Sequence, residues 1–251
     1  MPTVTPRLEW RAGRVVATRR ETPSVRTITL DVPGWPGHRA GQHVDLRLTA
    51  EDGYQAQRSY SIASSPGVAP VELTIERLED GEVSPYLCDV VREGDLIEIR
   101  GPIGGYFVWE PRSDRPHALV AGGSGVVPLM AILRQRAMRD AEISAPAVLV
   151  YSARTADDLI YRDEMDRLAA DDGAIRVAYT LTRSQPAGWT GYRRRIDDAL
   201  LRETLPPPAS RPSVYVCGPT PMVESAASLL VQLGYPPDDV RTERFGPSGG
   251  G

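Results

Sequence analysis

Gly122-Gly123-Ser124-Gly125-Val126-Val127-Pro128 joins the apolar run Ala118 to Ala121 to a segment of helical period reaching about Arg139. Glycines between a strand and a helix let backbone N–H groups approach a phosphate at the positive end of the helix. The stretch is therefore a candidate phosphate loop. It is not a full dinucleotide fingerprint, because the third glycine position carries Pro128, which suits a first helical turn. It reads equally as a tight strand-to-helix turn of an α/β domain without a ligand. Either way, the chain around it sets the architecture. Continuous apolar runs at Ala118 to Ala121, Ala147 to Tyr151, Ile175 to Leu181 and Val214 to Cys217 read as buried parallel strands. Helical segments at Val126 to Arg139, Ala156 to Ala170 and Pro221 to Leu233 lie between them. That alternation predicts a doubly wound parallel sheet.

Upstream the period changes. Beyond the polar, proline-bearing linker Glu110 to Pro116, the segment from Glu9 to Gly101 consists of short alternating runs separated by turn signals. Examples are Thr27 to Leu30, Val44 to Leu48 and Val71 to Ile75. Such spacing predicts an antiparallel barrel or sandwich. One short helix is expected at Ser84 to Val91, with Ser84 as N-cap and Pro85 first in the helix, followed by a strand at Leu96 to Arg100. A flexible tail is expected from Gly246.

With 251 residues, 41% of them hydrophobic and 25% charged, the chain can bury a core without staples. A net charge of −4 argues against a general nucleic-acid binder. The absence of a spanning apolar window or a signal-type apolar core before Arg20 predicts a cytoplasmic protein not inserted in a membrane. Cys88 and Cys217 cannot hold an iron–sulfur cluster, so any such partner is expected to be separate. His38, His43 and His117 have no ligand spacing, and no metal site is expected.

Within the first half, Arg58-Ser59-Tyr60-Ser61 places a guanidinium, a phenol ring and hydroxyls on one extended segment. Alternation puts Arg58 and Tyr60 on one face and Ser59 and Ser61 on the other. A guanidinium can pair with a pyrophosphate, a ring can cover an isoalloxazine, and a hydroxyl can donate to a ring nitrogen. An exposed edge strand has the same composition. In the second half, the tip of the second parallel strand, Ser152-Ala153-Arg154, lacks the acid that favours a free ribose 2′-hydroxyl. Arg154 precedes the N-cap pair Thr155 and Asp158, and Thr182-Arg183 ends the next strand, with Arg193 to Arg195 beyond. These cations favour a 2′-phosphate, although a charge run is more often a solvated face. Val216-Cys217-Gly218-Pro219 sets a thiol at the carboxyl edge of the sheet, where ligands bind in this architecture. Glu243-Arg244-Phe245 comes after the expected last strand.

Taken in order from about Val15 to Phe245, these segments resemble the ferredoxin–NADP reductase family, in the form of a stand-alone two-domain member without a fused ferredoxin domain. Arg58-x-Tyr60-Ser61 is similar to its flavin strand, Gly81 to Leu87 to its pyrophosphate turn and helix, and Gly101 to Gly104 to the closing turn of its barrel. Gly122 to Pro128 and Cys217-Gly218-Pro219 are similar to its two nicotinamide-nucleotide loops. The resemblance implies an N-terminal antiparallel FAD-binding β-barrel at residues 1–112 and a doubly wound NAD(P)-binding α/β domain at 113–251. It implies Ser61, Cys217 and Glu243 as catalytic residues. It places Arg58, Ser59, Tyr60, Ser61, Ile75, Gly81, Val83, Ser84 and Phe245 on FAD. It places Gly122, Gly123, Ser124, Gly125, Arg154, Thr182, Arg183, Cys217, Gly218 and Pro219 on NADP, with NAD as the alternative. In plant-type members the chain ends on a stacking aromatic, whereas here Phe245 is followed by six residues, and Glu76 falls where many of them carry a base.

The activity so implied is an FAD-dependent oxidoreductase that takes hydride from NADPH and passes electrons singly to a separate ferredoxin, another iron–sulfur protein or a flavodoxin-type carrier. A monomer is expected. Three alternatives stay open on the residues: an NADH-dependent reductase component of an oxygenase or cytochrome P450 system, a catalytically idle FAD-binding subunit, and a nucleotide-binding regulatory module without flavin.

Overall fold

The structure is a computed structural model that describes residues 8–109, 115–138 and 145–245. Six antiparallel strands form the N-terminal half: β1 (Trp10–Thr22), β2 (Val25–Asp31), β3 (His43–Thr49), β4 (Gln55–Ser61), β5 (Val71–Glu76) and β6 (Leu96–Ile103). Their order is β4-β3-β6-β1-β2-β5. Alternation produces the core: Val71, Leu73 and Ile75 of β5 and Val44 and Leu46 of β3 point inward with Ile28, Leu30, Ile97 and Ile99. An isolated bridge between Ile62 and Leu73 brings the edge strands β4 and β5 together and rolls the sheet into a barrel. Beyond that bridge no ladder joins β4 to β5 among the described residues, so the barrel wall has a seam beside Arg58 to Ser61.

Two barrel expectations need correction. Gly101 to Ile103 are not a turn but the last residues of β6, where Ile103 pairs with His43. The helix expected at Ser84 to Val91 is present over 84–90, its last part a π-type turn, Tyr86–Val90, but Ser84 does not cap it. The Ser84 hydroxyl instead accepts the backbone N–H of Leu78 at 3.0 Å, closing the preceding loop, and the first helical N–H, that of Leu87, goes to the Val83 carbonyl. A buried serine takes whichever amide the turn presents, and here that amide lies upstream.

The C-terminal half alternates β7 (His117–Gly122), α1 (Val126–Ala137), β8 (Ala147–Ala153), α2 (Arg162–Asp171), β9 (Ile175–Leu181), α3 (Asp198–Thr204), β10 (Ser213–Pro219), α4 (Thr220–Gln232) and β11 (Val240–Phe245). All five strands are parallel, ordered β11-β10-β7-β8-β9. The connectivity reverses between β7 and β10, so both glycine-bearing loops open at the switch point where ligands bind in such sheets. Sequence reading missed α3, whose N-cap Asp197 accepts the N–H of Leu200 at 2.8 Å.

The predicted helix Ala156 to Ala170 is broken. After a short turn at Ala156–Asp158, Leu159 is extended and Tyr161 takes a left-handed φ of 60° before α2 begins. Leu159, Ile160 and Tyr161 are all buried. Three consecutive residues on a helix span about 200° of its surface and cannot share one buried face, so the chain unwinds to bury all three. The start signal was right: the N–H and hydroxyl of Thr155 both donate to Asp158, at 2.9 and 2.8 Å. Glu243 to Phe245 lie inside the last strand, not after it. The proposed domain boundary at 112/113, the end of the first predicted helix at Arg139 and the tail from Gly246 lie outside the described residues. No helix among the described residues is long and apolar enough to cross a membrane.

Candidate active site

Barrel and nucleotide half share an apolar cluster that joins Val25, Ala40 and Ala63 to residues of α1 and β8, with polar contacts beside it. Ser61 ends β4 and is 5% exposed, yet its Oγ has no hydrogen-bond partner among the described residues. A buried hydroxyl without a partner is costly unless something outside the protein satisfies it. On the opposite face of the strand, Tyr60 packs partly buried against the barrel core, and burial pushes its phenol pKa up. Arg58 lies on the exposed lip of the seam, with its guanidinium 3.9 Å from Glu82, whose carboxylate also accepts the hydroxyl of Tyr54 at 3.1 Å. Ser59 is committed elsewhere, donating at 2.7 Å to Asp45, which is itself bound to Arg100 at 2.6 Å. Ile75 and Val83 are fully buried in the barrel core. Gly81 sits where a Cβ would lie 2.9 Å from Ser84 Oγ, so its absence is used by the loop itself.

On the nucleotide side the glycines divide into two roles. A Cβ on Gly125 would lie 2.2 Å from the Cys217 carbonyl oxygen, so this glycine exists to let one loop pack on the other. Gly123 has a left-handed φ of 53° and nothing within 4 Å of a would-be Cβ, so its backbone faces open space. The phosphate reading thus narrows to Gly123 and Ser124, at the head of α1. At the far side of the sheet, Ala153 pairs with Leu181, and the N–H and hydroxyl of Thr182 both go to the Ala153 carbonyl, at 3.0 and 3.2 Å. The Arg183 N–H bonds the Arg154 carbonyl at 2.9 Å, which brings the backbones of two exposed arginines together at the ends of β8 and β9. Arg193 and Arg194 do not join them. Arg193 donates to the Trp189 carbonyl, and Arg194 lies near Asp197 and Glu203.

The two halves converge on four side chains. Cys217 and Glu243 are register partners in β10 and β11, and His43 and Ser61 are partners in β3 and β4. His43 Nδ1 lies 3.9 Å from Glu243 Oε1 across the domain cleft. Burial raises the Glu243 carboxyl to about 7 and lowers the His43 imidazole despite nearby Asp45, and Glu243 Oε2 has no partner among the described residues. Burial, reinforced by Glu243, also pushes the Cys217 thiol well above its ordinary range, so the sulfur stays a neutral contact surface rather than a thiolate. Phe245 is partly buried against the sheet's core beside Pro219. Sequence reading passed over His43, which it weighed only as a metal ligand. Its signal is its position opposite Ser61, and that requires strand register.

The comparisons with known proteins assign a nucleotide-binding family to each half of the chain. Residues 13–108 match the family described as oxidoreductase FAD-binding domain, and residues 119–228 match oxidoreductase NAD-binding domain. The chain belongs to the ferredoxin–NADP reductase family of oxidoreductases. It binds FAD and a nicotinamide nucleotide in that family's two-domain manner. It is 33% identical over 211 residues to NADH-cytochrome b5 reductase 1 of Emericella nidulans, covering 82% of this chain and 66% of that protein. Over 238 residues it is 32% identical to the glycine betaine monooxygenase reductase subunit of Chromohalobacter salexigens, covering 93% of this chain and 63% of that one. The chain thus spans about two thirds of the length of these curated relatives. A solved structure, the cytochrome P450 reductase of Amycolatopsis, shares 26% identity and a TM-score of 0.83 over 97% of this chain and 72% of its own.

Proposed function

We propose that this family member is an electron-transfer reductase, in which hydride passes from a nicotinamide dinucleotide to FAD and electrons leave singly for a separate protein carrier. The observation that carries the proposal is Ser61: a buried, unpartnered hydroxyl at the end of the flavin strand, one ladder step from the His43 that faces Glu243. FAD, when bound, supplies the conversion of a two-electron donor into one-electron steps. Ser61 would donate a hydrogen bond to the flavin ring, Tyr60 would cover the ring, and Arg58, 3.9 Å from Glu82 here, would pair with the pyrophosphate. Gly123 and Ser124 present backbone N–H groups to the nucleotide phosphates, while Cys217 fills space against the nicotinamide. Glu243, largely protonated below neutrality, donates to or orients the nicotinamide carboxamide.

Arg154 and Arg183 support NADPH as the donor, since two exposed arginines on adjoining strand ends suit a 2′-phosphate. The carrier in this reading is a ferredoxin, another iron–sulfur protein or a flavodoxin. A second reading rests on the relatives' names. Reductases named for NADH and cytochrome b5, and a monooxygenase reductase subunit, support NADH as donor and a haem protein or oxygenase component as acceptor. Anaerobic titration of the FAD-loaded protein with each nucleotide separates the two. Bleaching of the flavin by NADPH at lower concentration than by NADH supports the first reading, and the reverse supports the second. Failure of both nucleotides to bleach it refutes the hydride-transfer proposal, and a subsequent panel of reduced-carrier assays assigns the acceptor.

A further inference from the structure

We propose that Arg134 is a positioning residue for hydride transfer, locking the end of the flavin strand to the helix after the nucleotide loop. This deepens the reading of hydride passing between the two domains and rests on it. Arg134 belongs to α1, which begins directly after Gly125. Its Nη1 donates to the Ala63 carbonyl at 2.8 Å and to Glu72 at 3.0 Å, both on the barrel. Its Nε and Nη2 form a two-point pair with Glu164 of α2, each bond 2.7 Å. Ala63 lies two residues beyond Ser61, and its own N–H bonds the Glu72 carbonyl at 2.8 Å. One guanidinium therefore ties the strand that ends at Ser61, the start of β5 and two helices of the nucleotide domain.

The surroundings make this lock a rigid one. The Arg134 side chain is 13% exposed and lies 4.9 Å over the Tyr161 ring. Tyr161, held in its left-handed backbone conformation, donates its hydroxyl to Thr74 of β5. Thr74 meets Thr27 at 2.7 Å, and Thr27 donates to Glu21 at 2.5 Å. This second line crosses the same interface a few residues away. Bidentate geometry on one side and two further acceptors on the other require the planar fork of arginine, since an ammonium group is a point charge that cannot hold both sets. Near-attack geometry is sensitive to displacement. A shift of about 1 Å at the reacting centre, even from a remote change, costs on the order of a hundredfold in rate.

The test compares FAD-loaded wild type with Arg134→Gln, Arg134→Lys and Glu164→Gln in anaerobic stopped-flow reduction, using whichever nucleotide bleaches the wild type. The expected result for Arg134→Gln is a limiting rate of flavin reduction lowered about ten- to a hundredfold, with half-saturating nucleotide changed less than about threefold. The long-wavelength absorbance of stacked nicotinamide and flavin should weaken in parallel. Amide exchange at residues 63–65 should rise in both FAD-loaded and FAD-free protein. Arg134→Lys and Glu164→Gln should fall between wild type and Arg134→Gln. If Arg134→Gln does not fold, Arg134→Lys is read by the same criteria. A folded, FAD-loaded variant with the wild-type limiting rate and unchanged stacking absorbance overturns the proposal alone. A wild-type flavin that neither nucleotide bleaches overturns the hydride reading and the proposal with it.

Discussion

Glu243→Gln should stabilise the protein, and the gain should grow with pH. Burial moves this carboxyl from its usual 4.5 to about 7. At roughly 1.4 kcal/mol per tenfold change in proton affinity, that displacement is worth about 3 kcal/mol. The folded chain holds the proton more tightly than the unfolded chain. The contribution is therefore complete below pH 4.5, where the carboxyl is protonated in both states, and is lost as pH rises through 7. The nearest base, His43, is held below its ordinary 6.5 by burial, so at pH 8 it offers the carboxylate no compensating cation. A neutral amide of the same shape removes this cost. Glu243→Gln should thus gain about 3 kcal/mol at pH 8 and under about 1 kcal/mol at pH 5, or roughly 6–10 °C against 2–3 °C in melting temperature for a chain of this size. Paired urea and thermal unfolding of wild type and variant, both FAD-loaded, at the two pH values measure the difference. Equal gains at pH 5 and pH 8 would show that packing, not ionisation, governs the site, and would refute the burial argument. A loss at pH 8 would mean that the charged carboxylate has a partner supplied by the bound nucleotides or solvent.

Three further outcomes can be checked. Ser61→Ala should slow flavin reduction about tenfold, the worth of one hydrogen bond, while FAD retention measured by equilibrium release changes less; an unchanged rate in stopped flow removes Ser61 from the reaction. Gly125→Ala should cost about 3 kcal/mol or more in urea unfolding, because the new Cβ would meet the Cys217 carbonyl at 2.2 Å, and wild-type stability would disprove the loop–loop packing. The pair Arg154→Gln and Arg183→Gln should lower the NADPH to NADH ratio of kcat/KM by about ten- to a hundredfold, as loss of charge-assisted bonds to a phosphate demands. A ratio that does not move assigns those arginines to a solvated surface.

The features legible in the sequence are those that depend on period and local chemistry. The alternation of Val71, Leu73 and Ile75, the unbroken apolar run at Ile175–Leu181 and the Thr155–Asp158 cap each act within a few residues, and each appears in the structure where expected. The illegible ones depend on register and on the competition for buried partners. Ser84 looked like a helix cap because the sequence shows the hydroxyl but not the Leu78 amide that claims it. Ile75 and Val83 entered through the resemblance alone, and their burial in the barrel core, at 0% and 1% exposed, is set by the folded barrel rather than by any motif. Leu159 to Tyr161 looked helical because propensity is local, whereas burying all three against two domains is not. The same reasoning explains why His43 and Arg134 were invisible. Each gains its role from residues far away in sequence, His43 from Glu243 and Arg134 from Ala63 and Glu72. Motifs act within one segment, whereas the contacts that tie the barrel to the nucleotide domain, His43 to Glu243 and Arg134 to Ala63 and Glu72, exist only once both domains have folded.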